Sequence, residues 1–230
     1  AMEQIYANGH IPIVVGGTGF YIQALLYDID FTSTAQDDTY RAELENLVKE
    51  KGAAYLHNML RKVDPKSAED IHANNVKRVI RALEYYRQTG QKMSEHNEEE
   101  RRKESPYEFV YFVLNAPREQ LYARIDRRVD QMIEEGLVDE VKHLKELGCT
   151  KEMVSMQGLG YKEILAYLDG ECDLDTAVYT IKRDTRHFAK RQLTWFRRER
   201  QVTWIQKEVY DYDEDRILKA MLSHLEGRIC

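Results

Sequence analysis

A glycine turn set between an apolar run and a helix-forming segment constrains this chain most. Ile11-Pro12-Ile13-Val14-Val15 is followed by Gly16-Gly17-Thr18-Gly19 and then by Phe20-Tyr21-Ile22-Gln23-Ala24-Leu25-Leu26. The short β-branched run predicts a buried parallel strand. Three glycines in four residues let the backbone turn sharply and come close to a ligand. The helix that follows aims its free N–H groups and positive dipole end into the turn, which is the physics of an anion site. Thr18 supplies the turn's one hydroxyl. A tight strand-to-helix connection without a ligand remains the alternative. The turn is not a Walker A loop, because no Lys-Ser or Lys-Thr follows at the required spacing.

The 230 residues suffice for one large domain or two small ones, and an apolar fraction of 43% supports a sizeable core. No apolar run approaches the roughly 18 residues that span a bilayer, so no membrane partner is expected. Cys149, Cys172 and Cys230 are scattered without CxxC spacing. That pattern fits a reducing cytosol and argues against structural zinc. The seven histidines lack metal-ligand spacing. The chain opens in what reads as the tail of a helix, Ala1 to Ala7, stopped by Asn8-Gly9. The expectation is therefore a piece of a longer protein.

Along the chain, a first unit of helix end, strand, turn and helix runs to about Asp30. Helical patterns then occupy Asp37–Lys51, stopped by Gly52, then about Ala53–Lys62, and Asn75–Thr89, stopped by Gly90. Gln91–Glu108 is nearly all polar and predicts a solvated linker. Phe109–Leu114 predicts a second fully buried strand. Pro117 starts a helix or helix pair running to Leu147-Gly148. Helices follow after Gly160 and over about Leu174–Arg198, then a strand at Val202–Ile205 and a helix at Glu214–Leu225. Fold class is α/β, with an all-helical block inserted between core strands.

Charge is unevenly distributed. The chain carries a net −6, yet Ile181–Arg200 holds eight Lys or Arg against two acids, a local +6 that leaves −12 elsewhere. Projected at 100° per residue, Arg183, Arg186, Lys190 and Arg197 share one stripe of a helix. Ile181, Phe188, Trp195 and Phe196 fall opposite. One face then packs and the other presents guanidinium groups suited to phosphate oxygens. A solvated face is the plain alternative, but such faces mix signs and this one does not. In Leu121–Ile133, Leu121, Ile125, Val129 and Met132 form a buried stripe with Arg128 on its shoulder and Arg127 opposite. Arg128 there either snorkels to solvent or reaches into a pocket. Lys77, Arg78 and Arg81 make a second basic patch. Gln157, in Ser155–Glu163, has an amide able to read a base edge.

In order along the chain stand Val14–Tyr21, Val63-Asp64-Pro65, Ile71-His72, Lys77–Glu84, Arg124–Met132, Gln157–Lys162 and Ala189–Trp195. Together they resemble the bacterial tRNA dimethylallyltransferases, also called isopentenyl-tRNA transferases, over essentially the whole chain. The resemblance implies transfer of the dimethylallyl group of dimethylallyl diphosphate to N6 of the adenine 3′ of the anticodon. It implies a P-loop NTPase-like parallel-sheet core, with the nucleotide (ATP) binding character of that class. The core would occupy 1–31 and 107–230 with C-terminal helices, and an inserted helical tRNA-binding domain 32–106. By resemblance Thr18 lies at the reacting centre, and Gly16, Gly17, Thr18 and Arg128 bind the diphosphate. Arg41, Lys77, Arg78, Arg81, Gln157, Arg183, Arg186, Lys190 and Arg191 contact the tRNA anticodon stem-loop.

The family's phosphate-cradling loop, with its Lys and Thr, and the Asp that deprotonates N6 have no counterpart in these residues. The expectation is that this segment by itself does not catalyse, and that ligands for Mg2+ lie outside it. The implied setting is cytoplasmic, with no obligate protein partner. Two rivals remain from the residues alone: a P-loop-type small-molecule kinase, and a tRNA-binding fragment without chemistry.

Overall fold

The computed structural model describes residues 1–29 and 38–229. In chain order it contains α1 (Met2–Ala7), α2 (Gly19–Tyr27), α3 (Asp38–Lys51), α4 (Ala53–Val63), α5 (Pro65–Asp70), α6 (Val76–Thr89) and α7 (Met93–Arg102). There follow β1 (Tyr111–Asn115), α8 (Arg118–Glu134), α9 (Leu137–Glu146), α10 (Tyr161–Leu168), α11 (Leu174–Phe196), β2 (Val202–Gln206) and α12 (Glu214–Ile229). Single 3₁₀ turns lie at Val154–Gln157 and Lys207–Tyr210. Asp37, Cys230 and the expected boundary at 31/32 lie outside the described residues. The chain divides into two compact units, residues 1–19 with 109–230, and residues 20–108.

The helical unit is built on one apolar seam. Leu44 of α3, Leu56 and Leu60 of α4, and Val79, Ile80 and Leu83 of α6 are buried together, with Tyr40, Leu47 and Val63 packed around them. The spacings are those of a helix face. Removing each leucine side chain from water contributes ~1.5–3 kcal/mol. Gly52 and Gly90 end α3 and α6 where the sequence places the stops. Asp64, fully buried, caps α5 by accepting from Ser67 N at 3.0 Å and Ser67 Oγ at 2.6 Å.

The polar stretch after Gly90 is not the solvated linker its composition suggests. It contains α7, and the helix is held by charge and hydrogen bonding. Ser94 N and Oγ donate to the same Asp64 carboxylate at 3.0 and 2.6 Å. Lys66 and Arg102 both reach Glu98 at 2.8 Å. The His96 ring stacks on Tyr85 with centroids 5.2 Å apart. A helix with a weak apolar face leaves almost no periodic signal in sequence, and its anchor lies thirty residues upstream.

In the other unit β1 and β2 pair in parallel, Tyr111 opposite Val202 through Asn115 opposite Gln206. The segment between them is helical, as a parallel crossover requires. Val129 of α8, Leu137 and Val141 of α9, Met156, Ile164 and Leu165 of α10, and Ala177 and Ile181 of α11 form the core. Phe196 packs edge-on against Tyr111. β1 is buried on one face, through Tyr111 and Val113, while Leu114 is exposed. It is thus not the fully buried strand expected.

The expected strand at Ile11–Val15 is absent among the described residues. The run has no strand partner, and Ile13 and Val15 are 85% and 90% exposed. A strand persists only where a neighbour takes its backbone hydrogen bonds, and the described sheet is the β1–β2 pair alone.

Candidate active site and nucleic-acid interface

α11 organises the candidate site. Asp173 caps it through Thr176 N at 2.8 Å. Its first half, through Leu174, Ala177, Val178 and Ile181, belongs to the core. Beyond Ile181 it leaves that core, and there the groups with chemistry collect. Phe188, expected on the packed side, is consequently exposed, with the Arg191 guanidinium 5.6 Å from its ring centroid.

The glycine turn is fastened to the end of α11. Gln192 Nε2 donates to the Gly17 carbonyl at 2.7 Å. A Cβ on Gly17 would stand 2.5 Å from that nitrogen, and one on Gly19 would stand 2.2–2.9 Å from the Trp195 indole. What the glycines admit is thus the close approach of two α11 side chains. Thr18, between them, is exposed, and α2 begins at the next residue. Its first N–H groups, which have no partner within the helix, follow Thr18 directly in the chain. Four residues past Trp195, burial pushes the Glu199 carboxyl up, opposed by a hydrogen bond with the Trp195 side chain.

Farther up α11, two ion pairs bind it to α8. Arg186 Nη1 reaches both oxygens of Asp126, at 3.1 and 2.9 Å. Lys182 Nζ lies 2.5 Å from Asp130. Arg128, on the intervening turn of α8, is exposed and lies 3.2 Å from Glu135. It snorkels outward, as one of its two sequence readings allows. The stripe of four bases is therefore not uniform. Arg183 pairs with Asp184 at 2.8 Å and Arg186 is held by Asp126, while Lys190, Arg191 and Arg197 are exposed. The Arg183 guanidinium holds the Asp184 carboxyl below its ordinary range.

Gln157 closes the 3₁₀ turn at Val154–Gln157. Buried Met156 anchors the turn and leaves Val154, Ser155 and Gln157 exposed. Gly160, at φ 101°, bends the chain into α10. There the buried Glu163 carboxylate accepts the Gly160 N–H at 2.9 Å.

In the helical unit, Lys77, Arg78 and Arg81 are exposed on the first turns of α6, while Val79, Ile80 and Leu83 face the core. Arg41, expected at tRNA, is paired with an acid. Its Nε and Nη2 form a fork with buried Glu84 at 2.8 and 2.7 Å. This charge-assisted pair ties α3 to α6.

Sequence reasoning missed Gln192, Glu84, Asp126 and Asp130. Complementary spacing could have flagged the last two, since acids four apart in one helix match bases four apart in another. No local signal marks Gln192 or Glu84.

Among the described residues no group of three His, Cys, Asp or Glu side chains could hold a metal ion, and no described helix is long and apolar enough to cross a membrane.

The family model described as IPP transferase matches residues 1–199. A tRNA dimethylallyltransferase of Lachnoclostridium phytofermentans is 60% identical over 225 residues, covering 98% of this chain and 72% of that protein. The crystal structure of the tRNA isopentenylpyrophosphate transferase of Bacillus halodurans matches at 40% identity and a TM-score of 0.58, covering 97% of this chain and 72% of that one. A eukaryotic dimethylallyltransferase acting on tRNA matches at 30% identity and a TM-score of 0.74, covering 96% of this chain and 57% of that one. A family match over most of the chain, together with relatives this close across nearly all of it, places the chain in the IPP transferase family.

Proposed function

We propose that the protein moves the dimethylallyl group from dimethylallyl diphosphate to the exocyclic N6 of the adenine 3′ of a tRNA anticodon. Membership of the IPP transferase family supports this. The observation that carries the residue assignments is that α11 holds the Thr18 turn through Gln192 and Trp195 while exposing Lys190 and Arg191 from the same turns. A reacting centre and an RNA-backbone contact then share one rigid element.

The adenine N6 lone pair forms a bond to the allylic carbon, the carbon–oxygen bond breaks, and the diphosphate departs with its electrons. N6 gives up a proton to a general base, the Asp that the family resemblance implies outside these residues. Charge develops on the leaving oxygens, so oriented donors there lower the barrier. We assign that role to Thr18, the Gly16-Gly17 backbone, the N–H groups opening α2 and Arg128. The Arg128–Glu135 pair is exposed and yields readily to a diphosphate. Adenine must leave its stack to react, which calls for a grip on the RNA around it. We assign RNA contacts to Lys190, Arg191 and Gln157 in one unit and, taken by itself, to Lys77, Arg78 and Arg81 in the helical unit. Arg183, Arg186 and Arg41, which the resemblance also implies at tRNA, are engaged by Asp184, Asp126 and Glu84 and are left out of that assignment. We place the activity in the cytoplasm, where its tRNA substrate is. The Mg2+ that the family implies finds no ligand set among the described residues, and no step here passes through it.

The test uses the natural full-length protein, unmodified tRNA and labelled dimethylallyl diphosphate. Label is expected in tRNA bearing adenine at that position and absent when the adenine is replaced by guanine. No labelled tRNA, or label independent of that base, overturns the reading.

A further inference from the structure

We propose that Asp126 and Asp130 are specificity-determining residues that withhold Arg186 and Lys182 from RNA phosphates, so that α11 grips RNA with fewer charges than its sequence carries. The inference rests on the tRNA-binding reading above. Both pairs join positions four apart on α8 to positions four apart on α11, and the two helices pack against each other. Arg186 and Lys182 are 27% and 23% exposed, whereas Asp130 is 52% exposed. The bases are thus turned into the seam, while acid stands at its rim.

The consequence is a graded surface. The first part of the basic segment is neutralised: Lys182 by Asp130, Arg183 by Asp184 and Arg186 by Asp126. The bases from Lys190 onward are exposed, and they lie on the part fastened to the Thr18 turn through Gln192 and Trp195. Phosphate contacts carry no base information. Each additional one strengthens binding to every RNA and steepens its salt dependence. Acids at the seam repel a strand lying across it and leave attraction where the turn is. Discrimination gained by a repelling charge costs total affinity, and the expected mark of such a device is tighter binding when it is removed.

The experiment measures Kd against salt for the full-length protein with two probes, a tRNA anticodon stem-loop and an oligouridylate of equal length. The variants are D126N, D130N, D126N/R186Q and D126E. For D126N and D130N the oligouridylate slope is expected to steepen by roughly 0.7 per unmasked base. Its affinity at 0.1 M salt should rise about five-fold per base, which is that slope over the tenfold from 1 M salt. The stem-loop, held in register at Lys190 and Arg191, gains less, so the ratio between probes contracts. D126N/R186Q restores the charge balance without the ion pair and should return the wild-type slope, and D126E should keep it. A D126N or D130N protein with unchanged slope, or with weakened affinity and a lowered Tm, makes the pairs merely structural and overturns the inference. If D126N does not fold, D130N at the more exposed acid decides the matter alone. A wild-type protein that binds neither probe overturns the tRNA reading itself, whereas salt-dependent wild-type binding with inert variants overturns this inference only.

Discussion

Gly19 shows how little room the candidate site has for change. A methyl group there would lie within 2.2–2.9 Å of Trp195 ring atoms, where backbone and indole already meet. Gly19→Ala is expected to cost about 1–3 kcal/mol by overpacking, read by chemical denaturation, with a fall in prenyl transfer because the Thr18 turn moves with it. Thr18 itself is exposed and carries no packing role. Thr18→Ala should leave stability and tRNA affinity near wild type while slowing the single-turnover rate. Weakened affinity with an unchanged single-turnover rate would reassign Thr18 to RNA positioning. Arg128 and Arg127 are neighbours on α8, and both are exposed. The assignment gives them different fates. Arg128→Ala should lower kcat/KM on the order of 10²-fold, the scale for an oriented stabiliser of developing charge. Arg127→Ala should lower it far less, and equal losses would remove the assignment.

At the scale of elements, the second half of α11 offers the cleanest separation of charge from packing. Lys190 and Arg191 are exposed and lie past the apolar core, so replacing them with alanine should leave the fold intact. Removing one base from a phosphate flattens the plot of log affinity against log salt by roughly 0.7 to 0.9. The double variant should therefore flatten it by somewhat less than two, equally for cognate and non-cognate tRNA. Gln157→Ala should instead alter discrimination between tRNAs and leave the slope alone. An unaltered slope in the double variant would make this half of α11 an ordinary solvated face.

At the scale of the molecule, the two units have separate cores, and the helical one is tied together at a buried carboxylate, Asp64. Burial by itself would raise the Asp64 carboxyl; hydrogen bonds from Ser67 and Ser94 more than offset this and hold it below its ordinary value of 3.8. A carboxyl held low in the native state stabilises that state above its unfolded pKa, and the benefit is lost as pH falls through the native value. Acidification below about pH 4 should thus loosen α5 and α7 of the helical unit through Asp64. Hydrogen exchange at low pH should show faster exchange at Ser67 and Ser94 amides than in α10. Asp64→Asn, which keeps the shape but turns an acceptor into a donor, should abolish that pH dependence and lower the Tm. Retained pH dependence in the variant would assign the acid response to another group.

What the sequence by itself determined was local. Glycine stops after Lys51 and Thr89, the apolar spacing of α4 and α6, and the β-branched runs that become β1 and β2 all depend on residues within one or two turns. Periodicity reads such features directly, and ordered motifs along the chain were enough to indicate the family. Tertiary structure alone decided the pairings. Ile11–Val15 has the composition of a buried strand, yet a strand needs a neighbour. The segment after Gly90 has the composition of a linker, yet Asp64, thirty residues earlier in the chain, anchors it as a helix. Projection sets the bases of α11 on one stripe, but it gives the direction of a side chain and not what stands opposite, and Phe188 on the far side is exposed. Asp126 and Asp130 lie more than fifty residues from the bases they engage, and a charge is neutralised by whatever lies within a few ångströms in space, a distance that sequence separation does not encode.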